Sequence, residues 1–276
     1  MCKFFSLVSK GDGKPIYFDW DLRQKCLSGE LGYSPDSHTS IADYDGFKGA
    51  AEDRLNKYEF NPLTKKFVVD QINTIDDRDA IERFCMTLDF RTIVPALVIK
   101  PIIHPLKDFY VKKPSSKDLI LLKKWASVWD SMRDSVWASV WNSVRNSVGD
   151  SVWDSMRDSV ENSVWASMRD SVWVNMWDSM RANMWDSVGA NVLDSVWDSV
   201  WAYFSSFFKL DQWEYFKSTS GEDPFQPTID LWEKGIVPSF DGKKWYLYGH
   251  TGKIIWAGTI EEADDFITAK SNNDRI

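Results

Sequence analysis

Cysteine is scarce in this chain of 276 residues, with three at positions 2, 26 and 85. An odd and widely spaced set makes no disulfide framework. Histidine is equally thin, and His38, His104 and His250 stand far apart, so no metal-ligand spacing exists. No metal and no cofactor is therefore expected. The sequence also lacks any apolar run of about eighteen residues, and no hydrophobic segment follows Met1. That predicts a cytoplasmic protein with neither membrane span nor secretory leader. Positive charge is short as well: 33 Lys and Arg face 41 Asp and Glu, for a net charge of −8. Such a balance argues against DNA, RNA and anionic membranes as partners. Finally, no proline falls between Pro114 and Pro224, and the stretch Trp125 to Val200 holds only Gly149 and Gly189.

What fills that stretch is one four-residue word, roughly [Trp/Arg]-[Asp/Ala/Asn]-Ser-Val, written nineteen times. Its third column is Ser except for Asn at 175, 183 and 191, and its fourth is always Val or Met. The first column is the variable one. Within it Arg133, Arg145, Arg157, Arg169 and Arg181 recur every twelve residues, until Leu193 takes the next slot. Many of these exchanges need one base change, so the twelve-residue register fits either a history of DNA duplication or a structural coil.

A four-residue word advances a helix by about 400°, an overshoot of about 40° per word. Val128, Met132, Val136 and Val140 then share a face, with the Trp column beside it and Asp and Ser opposite. The alternative is a β-solenoid of twelve-residue coils. Val and Trp favour strands, and Asp, Ser and Val are poor helix formers. Yet that arrangement puts Asp on the same face as Val, and the segment lacks the Gly and Pro that tight corners use. The flanks decide for helix. Ser115-Ser116-Lys117-Asp118 has the form of a capping box before Leu119-Ile120-Leu121-Leu122, and Trp197, Val200, Trp201, Phe204 and Phe208 keep helical spacing. A straight helix of this length would run about 114 Å and leave a spiral of Trp side chains wet. Reversals at Gly149 and Gly189 are therefore expected, giving helices near 116–148, 150–188 and 190–208.

The flanking regions have ordinary composition. Lys3–Ser9 and Ile16–Trp20 read as a hairpin around Lys10-Gly11-Asp12-Gly13-Lys14. Asp21–Leu27 and residues 48–57 read as short helices. Tyr58–Phe60 and Lys66–Val69 form a second hairpin across Asn61-Pro62-Leu63-Thr64. A helix spans Asp76–Leu88, with Ile81, Phe84, Cys85 and Leu88 on one face, and Val- and Ile-rich Arg91–Lys100 reads as a strand. Downstream come a helix at Thr228–Lys234 ended by Gly235, a hairpin of Trp245–Tyr248 with Lys253–Trp256, and a helix at Glu261–Ala269. The class is α+β, divided into an α+β domain at 1–112, a helical repeat segment at 113–209 and a β-hairpin module at 210–276.

Chemistry is sparse. Asp36-Ser37-His38-Thr39-Ser40 is the densest polar loop, and His38 with Glu52 or Glu59 could build a His–carboxylate site for hydrolysis or group transfer. The competing reading makes Asp36, Ser37 and Thr39 a turn that caps a helix starting near Ser40. Cys2 would become an N-terminal nucleophile if Met1 were removed, but Lys3-Phe4-Phe5 enters a strand instead of following with Gly. Cys26 and Cys85 read as core. In the repeat, ten Asp and Glu161 face five Arg, about −6 in all, which disfavours base stacking by the Trp and Arg column.

Runs such as Trp-Asp-Ser-Val-Trp-Asp-Ser-Val resemble the tetrapeptide-repeat segments of certain bacterial and phage proteins. Phe4-Phe5-Ser6, Asp36-Ser37-His38-Thr39-Ser40-Ile41-Ala42-Asp43 and Gly235-Ile236-Val237-Pro238-Ser239-Phe240-Asp241-Gly242-Lys243 look similar to their flanks. The resemblance implies a microbial or phage origin and carries no activity with it. The expectation is a non-enzymatic scaffold or interaction protein. Its repeat would act as a spacer or as an association surface, for a second copy or for a partner protein. An enzyme or small-ligand site around His38 is the alternative.

Overall fold

The structure is a computed structural model that describes residues 5–95, 97–132, 190–209 and 223–273. The fold is α+β, with helices and two antiparallel sheets. It forms two compact units. One comprises the described residues up to Pro101 together with Phe207–Lys209, and the other comprises those of 102–132, 190–206 and 223–273.

The first unit is built on a four-stranded sheet of order β2-β1-β3-β4. Its strands are β1 (Phe5–Ser9), β2 (Pro15–Ile16), β3 (Asn56–Asn61) and β4 (Lys66–Gln71). Both expected turns pair their strands, but the return strand of the first hairpin is Pro15–Ile16 and not Ile16–Trp20, because Asp19 caps α1 and Trp20 opens that helix. In the second, the Asn61 side chain accepts from the N–H groups of Leu63 and Thr64, which closes the turn. Both faces of β1 are covered. Val8 packs with Phe18, Cys26, Ile41, Ala42 and Leu55, contributed partly by α1 (Trp20–Leu27) and α2 (His38–Tyr44). On the other face Phe5 and Phe60 meet Phe90 at ring distances of 5.1 and 5.7 Å, and Tyr17 links Phe5 to Phe84. Phe84 lies on α3 (Arg78–Thr87), whose Ile81 and Cys85 are fully buried.

Two local expectations need correction. The helix expected at 48–57 is a 3-10 segment at Gly49–Arg54, and Asn56 already opens β3. The strand expected at Arg91–Lys100 is the short helix α4 (Phe90–Ile93) followed by irregular chain. Asp89 caps that helix by accepting from Arg91 N–H at 3.1 Å, and Pro95 has no N–H to give a ladder. The β-prone residues serve instead as anchors. Ile93, Val94 and Leu97 are buried, Leu97 bridges to Phe208, and Val98 N–H donates to Phe207 C=O at 2.8 Å.

The second unit combines helices α5 (Pro105–Asp108), α6 (Ser116–Met132), α7 (Ala190–Ser205), α8 (Gln226–Glu233) and α9 (Ile260–Asn273) with a three-stranded sheet. The strands β5 (Val237–Phe240), β6 (Trp245–Tyr248) and β7 (Ile254–Gly258) lie in chain order. The expected C-terminal hairpin is therefore a meander with one more strand, because β5 is only four residues long and carries Pro238. The capping box forms as read: Asp118 N–H donates to Ser115 Oγ at 3.3 Å, and Ser115 N–H returns to Asp118 Oδ2 at 2.8 Å. Tyr203 stacks on Trp232 at 5.0 Å, and the pair grips the Ile103 backbone. Ile103 N–H donates to Tyr203 Oη (2.9 Å) and its C=O accepts from Trp232 Nε1–H (3.1 Å).

The described words at both ends of the repeat, in α6 and α7, are helical. The remainder, with the expected reversal at Gly149 and the break at Gly189, lies outside the described residues. The columns do not keep one environment. In α6, Trp125 and Ala126 are buried whereas Ser127 and Asp130 are exposed. In α7, Ser195, Asp198 and Ser199 are buried together with Val196, Val200 and Trp201. The expectation that Ser and Asp face solvent opposite the Val column thus fails for α7. Two causes act together. Each word rotates its columns by about 40°, and α7 lies along β5, whose edge needs hydrogen-bond partners. Phe240 N–H donates to Ser195 Oγ at 2.6 Å, and Ser199 Oγ–H reaches Pro238 C=O at 3.2 Å. Ser195→Ala should therefore cost about 1–3 kcal/mol by stranding the Phe240 N–H. Ser127→Ala, in the same column, should change stability by less than about 0.5 kcal/mol. Urea denaturation of the two variants measures the contrast, and equal losses would show that the column, not its neighbour, sets the cost.

Candidate functional site

Three polar clusters in the first unit hold the residues that sequence reasoning singled out. The first surrounds His38. Ser37 caps α2, its side chain accepting from Ser40 N–H, so the helix starts at His38, two residues before Ser40, while the other two expected cap residues are engaged elsewhere, Asp36 by Arg23 and Thr39 by Glu52. This leaves His38 on the first turn, only 8% exposed, with Nε2 at 2.9 Å from the Tyr58 carbonyl oxygen. A carbonyl accepts only, so Nε2 carries the proton and Nδ1 is the ring's free acceptor in the neutral form. Nδ1 lies 3.6 Å from Asp70 Oδ2 on β4. The carboxylate beside His38 is therefore Asp70, which sequence reasoning missed, because the pairing crosses from α2 to the far strand of the sheet.

Glu52 is engaged elsewhere. It takes an ion pair from Lys57 and a hydrogen bond from Thr39 Oγ1 at 3.1 Å. The hydrogen bond from Lys57 holds its carboxyl below the usual range, against the opposing effect of burial. Glu59 is buried on β3, opposite Ser6 on β1 and Val68 on β4. Cys2 lies outside the described residues. Cys85 is buried, and burial pushes its thiol up to about 12, so it has no thiolate for nucleophilic work near neutral pH. Burial likewise raises Cys26.

The second cluster is a carboxylate hub. Asp77, which opens α3, accepts from Ser9 Oγ, from Gly13 N–H (2.9 Å), from Asn56 Nδ2 (2.9 Å) and from Tyr58 Oη (2.6 Å). Burial disfavours its charge, but those donors outweigh it and hold the carboxyl below its ordinary value. Tyr58 is raised in turn, first by burial and then by Asp77. Every acceptor site is filled from within, and the hub ties β1, β3 and the 10–14 turn to α3.

The third cluster is the Arg23–Asp36 pair. Nη2 and Nη1 of Arg23 reach the two Asp36 oxygens at 2.6 and 3.2 Å, and Nε donates to Phe18 C=O at 3.0 Å. Both side chains are almost wholly buried, at 1% and 3% exposure.

In the second unit His104 is 4% exposed, and neither ring nitrogen meets a hydrogen-bond partner among the described residues. Burial, aided by Lys107 and opposed by Asp108, pulls it below its ordinary value of 6.5. The folded form then binds its proton less readily than the unfolded form, so its stability is full above pH 6.5 and falls as pH drops below that value. Replacing His104 with Gln should flatten the stability profile of this unit between about pH 6.5 and 5. An unchanged slope in pH-dependent urea melts would mean that another group carries it. His250 is occupied, with Nδ1 on the Phe109 carbonyl oxygen at 3.0 Å.

Among the described residues no three His, Cys, Asp or Glu side chains gather where they could hold a metal ion, and no helix is long and apolar enough to cross a membrane. Comparison of the chain with protein-family models, curated proteins and solved structures finds no match.

Proposed function

We propose that this chain is a non-enzymatic interaction protein, in the cytoplasm, whose tetrapeptide repeat is an association surface for a second copy or a partner protein. Kinship with the tetrapeptide-repeat proteins of bacteria and phages belongs to the same reading. The observation that carries it is the anchoring of the repeat. Its first words, in α6, and its last, in α7, belong to the same unit, and Trp129 Nε1–H donates to Asp198 Oδ2 at 3.2 Å between them. A segment whose two ends meet in this way does not set the separation of its neighbours, which favours an association surface over a spacer. The words themselves suit packing: Trp125, Val196 and Val200 are buried where they meet protein, and large apolar stripes on soluble proteins mark contact surfaces. The rival enzymatic reading gains little, since His38 is held through Nε2 by a backbone carbonyl and Glu52 by Lys57 and Thr39.

Sedimentation velocity of the full chain tests the proposal on its homomeric arm. The expected result is a mass that rises with concentration. A clean monomer whose Trp emission is blue-shifted and resistant to quencher would show the stripe satisfied within one chain and would overturn self-association.

A further inference from the structure

The contact between α7 and β5 defines what a word recognises. β5 is an edge strand, and its Phe240 N–H and Pro238 C=O point away from β6, to Ser195 and Ser199. Proline fits there because an outward position has no ladder N–H to lose. Serines four residues apart on a helix rise by about 6.0 Å. Outward backbone groups two residues apart on a strand are spaced by about 6.6–6.8 Å. The two ladders nearly coincide, so each word sets one hydroxyl against one outward strand residue. A hydroxyl both donates and accepts, so it meets a strand N–H or C=O equally well.

The same sheet has a second edge, β7. Since Pro238 and Phe240 turn outward, Val237 and Ser239 face β6. The register then turns Trp245 and Leu247 toward β7, and Trp256 and Gly258 back toward β6. Ala257 therefore points its backbone outward, and it is exposed, as is Ile254. From Ile254 to Gly258 the strand has neither charge nor proline, the devices that usually guard an edge. Exposed Lys253 precedes it, and exposed Lys243 and Lys244 lie in the turn before Trp245, the partner of Gly258. Those cations suit an acidic visitor, although Glu262, bonded to Thr259 N–H, lies at the Gly258 end. The repeat is such a visitor, with ten Asp and Glu161 against five Arg. Between the described helices, residues 133–188 hold fourteen further words in sequence, twelve of them with Ser in the third column.

We infer that the serine column of the words is a strand-edge-binding face, and that in a second copy of this chain it docks on the outer edge of β7. The inference rests on the reading of the repeat as an association surface and names the surface it contacts. Its test uses the full chain, comparing wild type with Ala257→Pro by sedimentation, and following exchange of the Ala257 amide in wild type as concentration rises. The substitution removes an outward N–H and places a proline as β5 already does, so the monomer should stay folded. The expected results are association weakened by more than about tenfold in Ala257→Pro, and an Ala257 amide that gains protection with concentration. Undiminished association of Ala257→Pro, or an Ala257 amide that stays unprotected in associated wild type, would overturn the β7 surface while leaving association itself standing. A wild type that never associates overturns both. Should Ala257→Pro fail to fold, the wild-type amide exchange decides alone.

Discussion

Asp36→Ala is expected to lower the stability of the first unit by about 3–5 kcal/mol, the cost of leaving one half of a buried ion pair uncompensated. Arg23 is 1% exposed and has a bidentate contact only with Asp36. With the carboxylate gone, its charge would retain the Phe18 carbonyl and the Phe5 ring face at 5.2 Å, too little to replace hydration. Arg91→Ala provides the control, because it breaks an ion pair and leaves the Asp89 cap of α4 in place. Arg91 also pairs with a carboxylate, Asp89, at 2.7 Å, but the two side chains are 75% and 46% exposed, so water screens the pair and its loss should change stability far less than the loss of Asp36. Urea denaturation of both variants reads the difference. A loss below about 1 kcal/mol at Asp36 would mean that Arg23 finds water or another acceptor.

Gly235→Ala should be the most damaging single-methyl change in the second unit. Gly235 ends α8 with φ of +83°, and an added Cβ would stand 2.3 Å from Phe109 Cβ and 2.8 Å from Phe109 Cγ. Left-handed backbone costs an L residue about 1–3 kcal/mol, and forcing Phe109 aside adds about 1–3 kcal/mol of overpacking. The neighbouring backbone is already committed, since the Phe109 carbonyl is held by His250. Thermal unfolding followed through Trp232, which stacks on Tyr203 in this unit, should show an earlier transition. An unchanged midpoint would show that Phe109 can move without cost.

Gly235 was legible in the sequence as a helix stop, and so were the other features written in local spacing. The Ser115–Asp118 box, the Asn61 turn, α1, α3 and the apolar face of α3 depend on residues within a few positions of one another. What spacing did not record is long-range. Arg23 meets Asp36, His38 meets Asp70, and Asp77 gathers Ser9, Gly13, Asn56 and Tyr58 from as far as 68 residues away. The site expected around His38, Glu52 and Glu59 accordingly comes out with different pairings. The segment at 91–100 misled for a related reason: side-chain propensity spoke for strand, while a cap and a proline decided otherwise. The Ser column misled because its burial depends on what it packs against. Ser127 is wet and Ser199 buried, although the two sit in words that differ only at the Asp column.

As an association surface, the stretch 133–188 should be dispensable for the folding of the structure that flanks it. A variant in which a short glycine–serine linker replaces residues 133–188 tests it most directly, because Trp129 and Asp198 already join the ends that would remain. Compared with the full chain by sedimentation and thermal unfolding, the shortened chain should be a folded monomer at concentrations where the full chain associates. A shortened chain that still associates to the same extent, or that no longer folds, would contradict it.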